Sequence, residues 1–195
     1  MGCGPQRIEA TPFASLGWHE LRLDIDPAVG PDLIGSMTEM KEVASASVDA
    51  VFSSHNLKYL EAHAVPMALA EFRRVLRPGG IAVITCPDLN AIAARILSHG
   101  LTGEAYLSPA GPISPLDMLY GLRSALAEGQ QFMAHRTGFN VRALEATLEA
   151  AGFAQVVAFS RPDRFDLWAL ATLKSWPAEA LSEAVLSLLP VLPEA

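Results

Sequence analysis

Two glycines and a following acid have the residue types and spacing of a nucleotide-type ligand site. Gly2 and Gly4 stand at the start of the chain, and Asp24 lies in the next short apolar segment. Glycines let the backbone approach a ligand closely, and an acid at a strand tip can accept the two hydroxyl donors of a ribose. The alternative for these residues is an ordinary glycine turn and a solvated acid before Pro27.

Two histidines could move a proton or position a substrate. His55 follows an apolar run typical of a buried strand, so we expect a general base or a positioning donor there. His135 lies in a segment expected to cover a cleft, where it could contact substrate, and its alternative is a loop histidine bonded to the backbone. The sequence has no cysteine/histidine pair with zinc-finger spacing and no Ser-His-Asp motif, so we predict no metal.

Composition restricts the class of protein. The chain has 195 residues, is 51% hydrophobic and carries a net charge of −7, which predicts one globular domain and argues against a nucleic-acid partner. No apolar run has the length of a membrane-spanning helix, so no membrane partner is expected. With two cysteines and no secretory signal, we expect a cytoplasmic location.

The elements that must position these residues alternate between strands and helices. An apolar run at 50–53 is followed by a helix at 65–76, a strand at 81–85 and a helix beginning after Asp88. This order predicts βαβ units on a parallel sheet. The helix at 65–76 has one apolar face, and its arginines are predicted to form a solvated face; they are Arg73, Arg74 and Arg77.

The second half of the chain departs from this alternation. Residues 100–139 are rich in proline and glycine, which predicts a cap insertion over the sheet. A helix at 141–151 precedes two strands at 155–159 and 166–173, which we expect to form an antiparallel hairpin at the sheet edge. We predict a domain at 1–175 and an amphipathic helix and tail at 176–195, which either docks on the domain or pairs with a second subunit in a homodimer.

The string RVLRPGG at 74–80, followed by the apolar strand, resembles one large family. In class I S-adenosylmethionine-dependent methyltransferases of the type 11-like group, this turn joins the helix after strand four to strand five. The resemblance covers about residues 1–173 and is strongest at 48–88. It implies an α/β, three-layer Rossmann-like methyltransferase fold with a mostly parallel sheet and an antiparallel C-terminal edge hairpin.

The resemblance also implies site residues for S-adenosyl-L-methionine. The glycines would contact the methionine part of the cofactor, Asp24 and Ile25 would form the ribose side, and the end of strand three would hold the adenine edge. The residues after strand four would lie beneath the sulfonium and face the substrate. The cofactor-binding set is therefore Gly2, Gly4, Asp24, Ile25, Ser36, Met37, Ser53 and Ser54, and the catalytic set is His55 and His135.

Two features depart from the family. Ser36 stands where the family commonly has an acid, and a neutral acceptor binds the adenine amino group less strongly. The chain also begins at the glycine motif, with no residues for strand one, although a central strand cannot be dropped without leaving two neighbours unpaired. We therefore expect the natural start to lie upstream.

The predicted function is in-line methyl transfer from S-adenosylmethionine to a small molecule or a soluble conjugate. Such a displacement mainly requires alignment of nucleophile, methyl group and sulfur. One alternative is a non-catalytic relative that uses the fold as a binding or partner module. Another is a nicotinamide-dependent oxidoreductase, which is disfavoured because the third glycine of its fingerprint is missing.

Overall fold

Eight strands and six helices make up the described part of the chain. This computed structural model describes residues 1–14 and 17–190. The strands are β1 (Leu23–Asp24), β2 (Leu33–Ile34), β3 (Val48–Ser54), β4 (Leu76–Pro87), β5 (Tyr106–Ser108), β6 (Gly111–Ile113), β7 (Gln155–Arg161) and β8 (Asp166–Thr172). The helices are α1 (Val65–Val75), α2 (Leu89–His99), α3 (Pro115–Tyr120), α4 (Arg123–Ala127), α5 (Val141–Ala150) and α6 (Ala178–Leu188). None of the described helices is long and apolar enough to cross a membrane.

The central sheet is mixed and has the order β3-β4-β8-β7. β3 and β4 are parallel, whereas β8 runs antiparallel to both β4 and β7. β1 and β2 form a separate parallel pair. The expected Rossmann-like α/β fold with an antiparallel C-terminal hairpin is confirmed, and within that hairpin β8 lies inside the sheet while β7 forms its edge.

Helix α1 packs its apolar face against the sheet, as its sequence period predicts. The buried residues of the helix are Val65, Ala68, Leu69, Phe72 and Val75. The helix ends at Val75, whereas the sequence pattern extended it to Leu76. Leu76 is extended and begins β4, where it is buried and pairs with Val48 of β3.

The opposite face of the sheet carries a second apolar cluster, which includes the C-terminal helix. Phe52 of β3 and Trp168 of β8 stack with ring centroids 6.4 Å apart. Leu188 and Leu189 at the end of α6 are buried in the same cluster. The described part of this C-terminal segment therefore docks on the domain, which is one of its two predicted positions.

The pair β1–β2 is not hydrogen-bonded to β3, and within the described residues no strand connects them. A groove of ≈ 380 Å³ runs along β3. The first residues bridge the two strands, since the Met1 amino group donates to the Phe52 carbonyl oxygen at 2.8 Å and the Cys3 N–H donates to the Leu23 carbonyl oxygen at 3.3 Å. The expected upstream strand stays a prediction.

Arg74 is not part of a solvated face, which corrects the interpretation of the helix arginines. Its guanidinium pairs with Glu71 at 2.6 Å and donates to the carbonyl oxygens of Met40 and Val43, each at 2.8 Å. The Glu71 carboxylate in turn accepts the Met40 N–H at 2.6 Å. The pair therefore attaches the loop after β2 to α1.

We expect Arg74→Ala to lower the free energy of unfolding by about 1–2 kcal/mol, because two backbone carbonyl groups and Glu71 lose their hydrogen-bond partner. Urea unfolding followed by circular dichroism measures this change. Arg73→Ala is the matched control, since Arg73 is exposed on the same helix. Equal losses in both variants would contradict an anchoring role for Arg74.

Candidate functional site

The N-terminal glycine loop closes on the carboxylate at the end of β1. Gly2 and Gly4 adopt φ values of 54° and 51°, a left-handed backbone that favours glycine. One oxygen of Asp24 accepts the Gly4 N–H at 2.8 Å, and the other accepts the Asp26 N–H at 3.0 Å. The glycine loop and the acid, which were both predicted to bind the cofactor, are thus in direct contact in the structure.

The two glycines serve different purposes. A Cβ atom at Gly2 would lie 2.3 Å from Oδ1 of Asn56, whereas a Cβ atom at Gly4 would meet no atom within 4 Å. Gly2 therefore allows close packing of the loop on the segment after β3. Gly4 leaves open space beside the Asp24 carboxylate.

A buried arginine that sequence reasoning did not select holds this loop. The Arg22 guanidinium donates to the Gly4 carbonyl oxygen at 2.7 Å and to the Gly30 carbonyl oxygen at 2.6 Å. Arg22 is buried next to Leu23 in β1. Its position fixes the glycine loop against the loop that connects β1 to β2.

The other predicted cofactor residues lie around the same strand ends in different states. Ile25 is 62% exposed beside Asp24. The Ser36 hydroxyl is shared with the Thr38 hydroxyl at 2.7 Å, and Met37 packs against the main core. Ile25 follows β1, and Ser36 and Met37 follow β2.

The two serines at the end of β3 differ in burial, since Ser54 is only half-buried. Ser53 is fully buried, and its hydroxyl has no hydrogen-bond partner within residues 1–14 and 17–190. The Ser54 hydroxyl lies 3.1 Å from the Thr85 hydroxyl of β4. Whether either residue contacts a cofactor stays a prediction.

His55 occupies a strained position at the end of β3. Its φ value is 56°, which is uncommon for a residue with a side chain. The His55 N–H donates to the Thr85 carbonyl oxygen at 2.9 Å and lies 3.1 Å from the Thr85 hydroxyl. These bonds fix the His55 backbone to β4. The imidazole lines a cavity, and burial lowers its pKa to about 4. The ring is therefore neutral at pH 7.

That cavity has a volume of ≈ 580 Å³ and lies under the predicted cap insertion. Its walls combine the segment after β3, the insertion and the turn between β7 and β8; the residues used below are His55, Lys58, Tyr59, Asp117, His135, Arg161 and Asp166. The two histidines selected from sequence therefore line one cavity. Volumes of about 300–1,000 Å³ are typical of small-molecule sites.

His135 has a defined tautomer. Its Nδ1 lies 2.8 Å from the Met118 carbonyl oxygen, which can only accept, so Nδ1 must carry the proton. Burial lowers the pKa of His135 to about 4, so Nε2 is unprotonated at pH 7. The backbone hydrogen bond foreseen as the alternative for this residue is present, and it leaves Nε2 available as an acceptor.

Tyr59 connects the cavity to the glycine-loop side of the molecule. Its ring lies 5.5 Å from the His135 ring and lines the cavity. Burial, with a smaller contribution from the Asp24 carboxylate, raises the pKa of Tyr59 to about 12. Asn56, which follows His55, donates to the Met1 carbonyl oxygen, so the glycine loop and the histidine cavity are neighbours.

Sequence reasoning did not select Lys58 and Tyr59. Both lie in a 3₁₀ turn, Leu57–Tyr59, which is separated from the end of β3 by two residues. Their proximity to His55 in sequence could have suggested a shared site. The ion pair of Arg161 with Asp166 at the same cavity depends on the hairpin register, which the sequence does not specify.

Comparison with known proteins gives one family. Residues 1–84 match the family described as "Methyltransferase domain". This match confirms the resemblance to class I methyltransferases on less than half of the chain, and it includes the glycine loop, β1 to β3 and α1. No curated protein is significantly similar to the chain.

Solved structures share the fold at low sequence identity. A protein from Pyrococcus horikoshii OT3 is 11% identical with a TM-score of 0.57, over 88% of this chain and 78% of that one. The 1,6-didemethyltoxoflavin-N1-methyltransferase of Burkholderia thailandensis, with bound 1,6-didemethyltoxoflavin and S-adenosylhomocysteine, is 18% identical with a TM-score of 0.52, over 89% and 69%. A methyltransferase from Thermotoga maritima is 17% identical with a TM-score of 0.44, over 73% of this chain and only 63% of its own length.

Proposed function

We propose that the chain is a class I S-adenosylmethionine-dependent methyltransferase that methylates a small molecule; the family match at residues 1–84 and the fold shared with a methyltransferase of known structure support this proposal. The observation that carries the proposal is the closure of the positive-φ glycine loop on Asp24 beside the histidine cavity. One side would hold the cofactor and the other the methyl acceptor.

The residues at the glycine loop fit S-adenosyl-L-methionine. Each Asp24 oxygen accepts one backbone N–H, and a carboxylate oxygen has a second lone pair for a ribose hydroxyl. Gly4 leaves open space beside this carboxylate. Ile25, Ser36 and Met37 supply an apolar surface and a hydroxyl on the adenine side.

The two serines after β3 would act in different ways. Ser54 is joined to Thr85 and would position the strand end rather than bind through its hydroxyl. Ser53 is buried with a free hydroxyl, and it would contact the cofactor only through the backbone. Both stay within the cofactor-binding set as supports of the strand end.

When bound, S-adenosylmethionine supplies a methyl group on a sulfonium, which is a good leaving group. The protein's task is then alignment and exclusion of water. The predicted cap insertion lines the cavity, and the hydrogen bonds that the His55 N–H donates to Thr85 fix the backbone of His55. We assign to His135 Nε2 the role of hydrogen-bond or proton acceptor from the acceptor molecule, and to neutral His55 the role of a positioning group.

Asp24→Ala is expected to weaken binding of S-adenosylhomocysteine by about 1–3 kcal/mol, because the ribose hydroxyl groups of the bound ligand lose their acceptor. Isothermal titration calorimetry measures this loss. Asp49→Ala is the matched control, because Asp49 is an exposed acid near the start of β3 and pairs with Arg77 at the surface. An unchanged affinity in Asp24→Ala would mean that the ribose site is misassigned.

Activity needs a separate measurement. Incubation of the protein with a cell extract and an isotopically labelled methyl donor, followed by mass spectrometry, is expected to give a labelled small molecule. Binding of S-adenosylhomocysteine without any labelled product would favour the non-catalytic binding module. No binding at high micromolar concentration would overturn the proposed function.

A further inference from the structure

Lys58 places a positive charge in the histidine cavity without a counter-ion. Its side chain lines the cavity, and its Nζ lies 5.0 Å from the centroid of the Tyr59 ring. Within residues 1–14 and 17–190, Nζ has neither a carboxylate within 4.0 Å nor a hydrogen-bond acceptor. Burial lowers the pKa of Lys58 to about 8, so the amine is still mostly protonated at pH 7.

The acids of the cavity are already paired. Asp166 accepts from Arg161 Nε at 2.9 Å and from Trp168 Nε1 at 3.2 Å. Asp117 accepts from Arg123 Nε at 2.8 Å and also from Ser114. Because these carboxylates hold arginine partners, none of them neutralises Lys58.

The remaining exposed acid of the cavity, Asp163, faces its neighbour Arg164 with 3.7 Å between carboxylate and guanidinium. His55 and His135 are uncharged at pH 7 because burial lowers both pKa values to about 4. After these pairings, Lys58 is the uncompensated charge of the described cavity. A buried charge without a partner is costly, so the site favours a ligand that brings a negative charge.

The rest of the wall favours an aromatic ligand. Tyr106 and Phe165 stack at 6.1 Å between ring centroids on one side of the cavity, and Tyr59 lies on another. Flat apolar rings gain from stacking on such side chains. Met118 and Met133 also line the cavity, and methionine side chains adapt to ligands of different outline.

The backbone of Lys58 is held in place by the segment that carries His135. The Lys58 carbonyl oxygen accepts the Arg136 N–H at 2.7 Å and the Thr137 N–H at 3.2 Å. The segment that carries Lys58 and the segment that carries His135 are thus hydrogen-bonded to each other. A hydroxyl group between them would meet a positive charge and a hydrogen-bond acceptor.

We propose that the cavity binds a small aromatic molecule with an acidic hydroxyl, of the phenol or enol class, as its oxyanion on the Lys58 ammonium. This inference rests on the proposed function, because the oxyanion would be the methyl acceptor. The hydroxyl proton passes by way of His135 Nε2 to solvent, so His135 is neutral again once the oxyanion is bound to Lys58. Lys58 is a specificity-determining residue in this arrangement.

A visible-light titration tests the proposal without methyl transfer. The probe is 4-nitrophenol, whose ionised form absorbs in the visible range. We expect the protein to bind the phenolate in preference to the phenol, so that the absorbance of the ionised form rises when protein is added below the pKa of the free probe. Lys58→Met is expected to weaken phenolate binding by about tenfold to hundredfold, and Lys58→Arg is expected to restore most of it.

Controls separate this proposal from the proposed function. Lys174→Met removes an exposed lysine and should leave phenolate binding unchanged, and circular dichroism checks that each variant is folded. S-adenosylhomocysteine titration of the Lys58→Met variant should match the unmodified protein. Normal S-adenosylhomocysteine binding with no phenolate preference, or equal phenolate binding in Lys58→Met, overturns the inference while the proposed function stands. Loss of S-adenosylhomocysteine binding in the unmodified protein would overturn the proposed function itself.

Discussion

Lowering the pH from 7 to 4 is expected to reduce the free energy of unfolding by about 3 kcal/mol through His55 alone. Burial lowers the pKa of His55 from 6.5 to about 4 in the folded protein. Between these two values the unfolded chain binds a proton that the folded protein does not, so stability is retained above pH 6.5 and is lost as the pH falls toward 4. His135 acts in the same direction from a more open position.

Urea unfolding at a series of pH values between 7 and 4 measures this effect. His55→Asn removes the titrating ring and keeps a residue that tolerates positive φ, so its stability should depend less on pH. His63→Asn is the control, since His63 is exposed. An equally steep pH dependence in His55→Asn would contradict the burial of a neutral imidazole.

Phe72→Ala is expected to lower the free energy of unfolding by about 3–5 kcal/mol, the range for removing a buried aromatic ring. Phe72 is fully buried in α1, in the core cluster between this helix and the sheet. The loss arises because the variant no longer gains the free energy of burying the ring and because a cavity is left in the core. Equilibrium unfolding by urea measures the change.

The same helix supplies the control for this prediction. Met67 is 54% exposed, so Met67→Ala removes apolar atoms from a site that is largely in water. We expect a change below about 0.5 kcal/mol for this variant, as for most surface substitutions. Similar losses in Phe72→Ala and Met67→Ala would mean that α1 does not bury the face its period predicts.

Local patterns predicted the elements well where one physical signal dominated. The 3.6-residue period of α1 and the N-cap Asp88 of α2 gave helices at the observed places. Element ends were less certain, because the last residue of α1 is decided by the strand that follows. Leu76 has helical spacing in sequence, but in the structure it is the buried first residue of β4.

Charged residues were harder to interpret, because a charge gives no periodic signal. Arg74 looks in sequence like its neighbours Arg73 and Arg77, yet it alone among the three ties the loop after β2 to α1. Arg22 likewise looks like a surface residue within an apolar segment, and it is buried under the glycine loop. Their partners lie far along the chain, so only packing reveals them.

By itself, the amino-acid sequence determined the α/β class and the order of the central elements, which follow from short-range patterns of hydrophobic period and turn residues. The link to class I methyltransferases came from the resemblance of the string at 74–80 and its neighbours to that family. Only the tertiary structure decided that His55 and His135, 80 positions apart in the numbering, share one cavity with Lys58. That outcome depends on how the cap insertion folds back over the sheet, because ion pairing, burial and shifted pKa values arise only between residues that packing brings together.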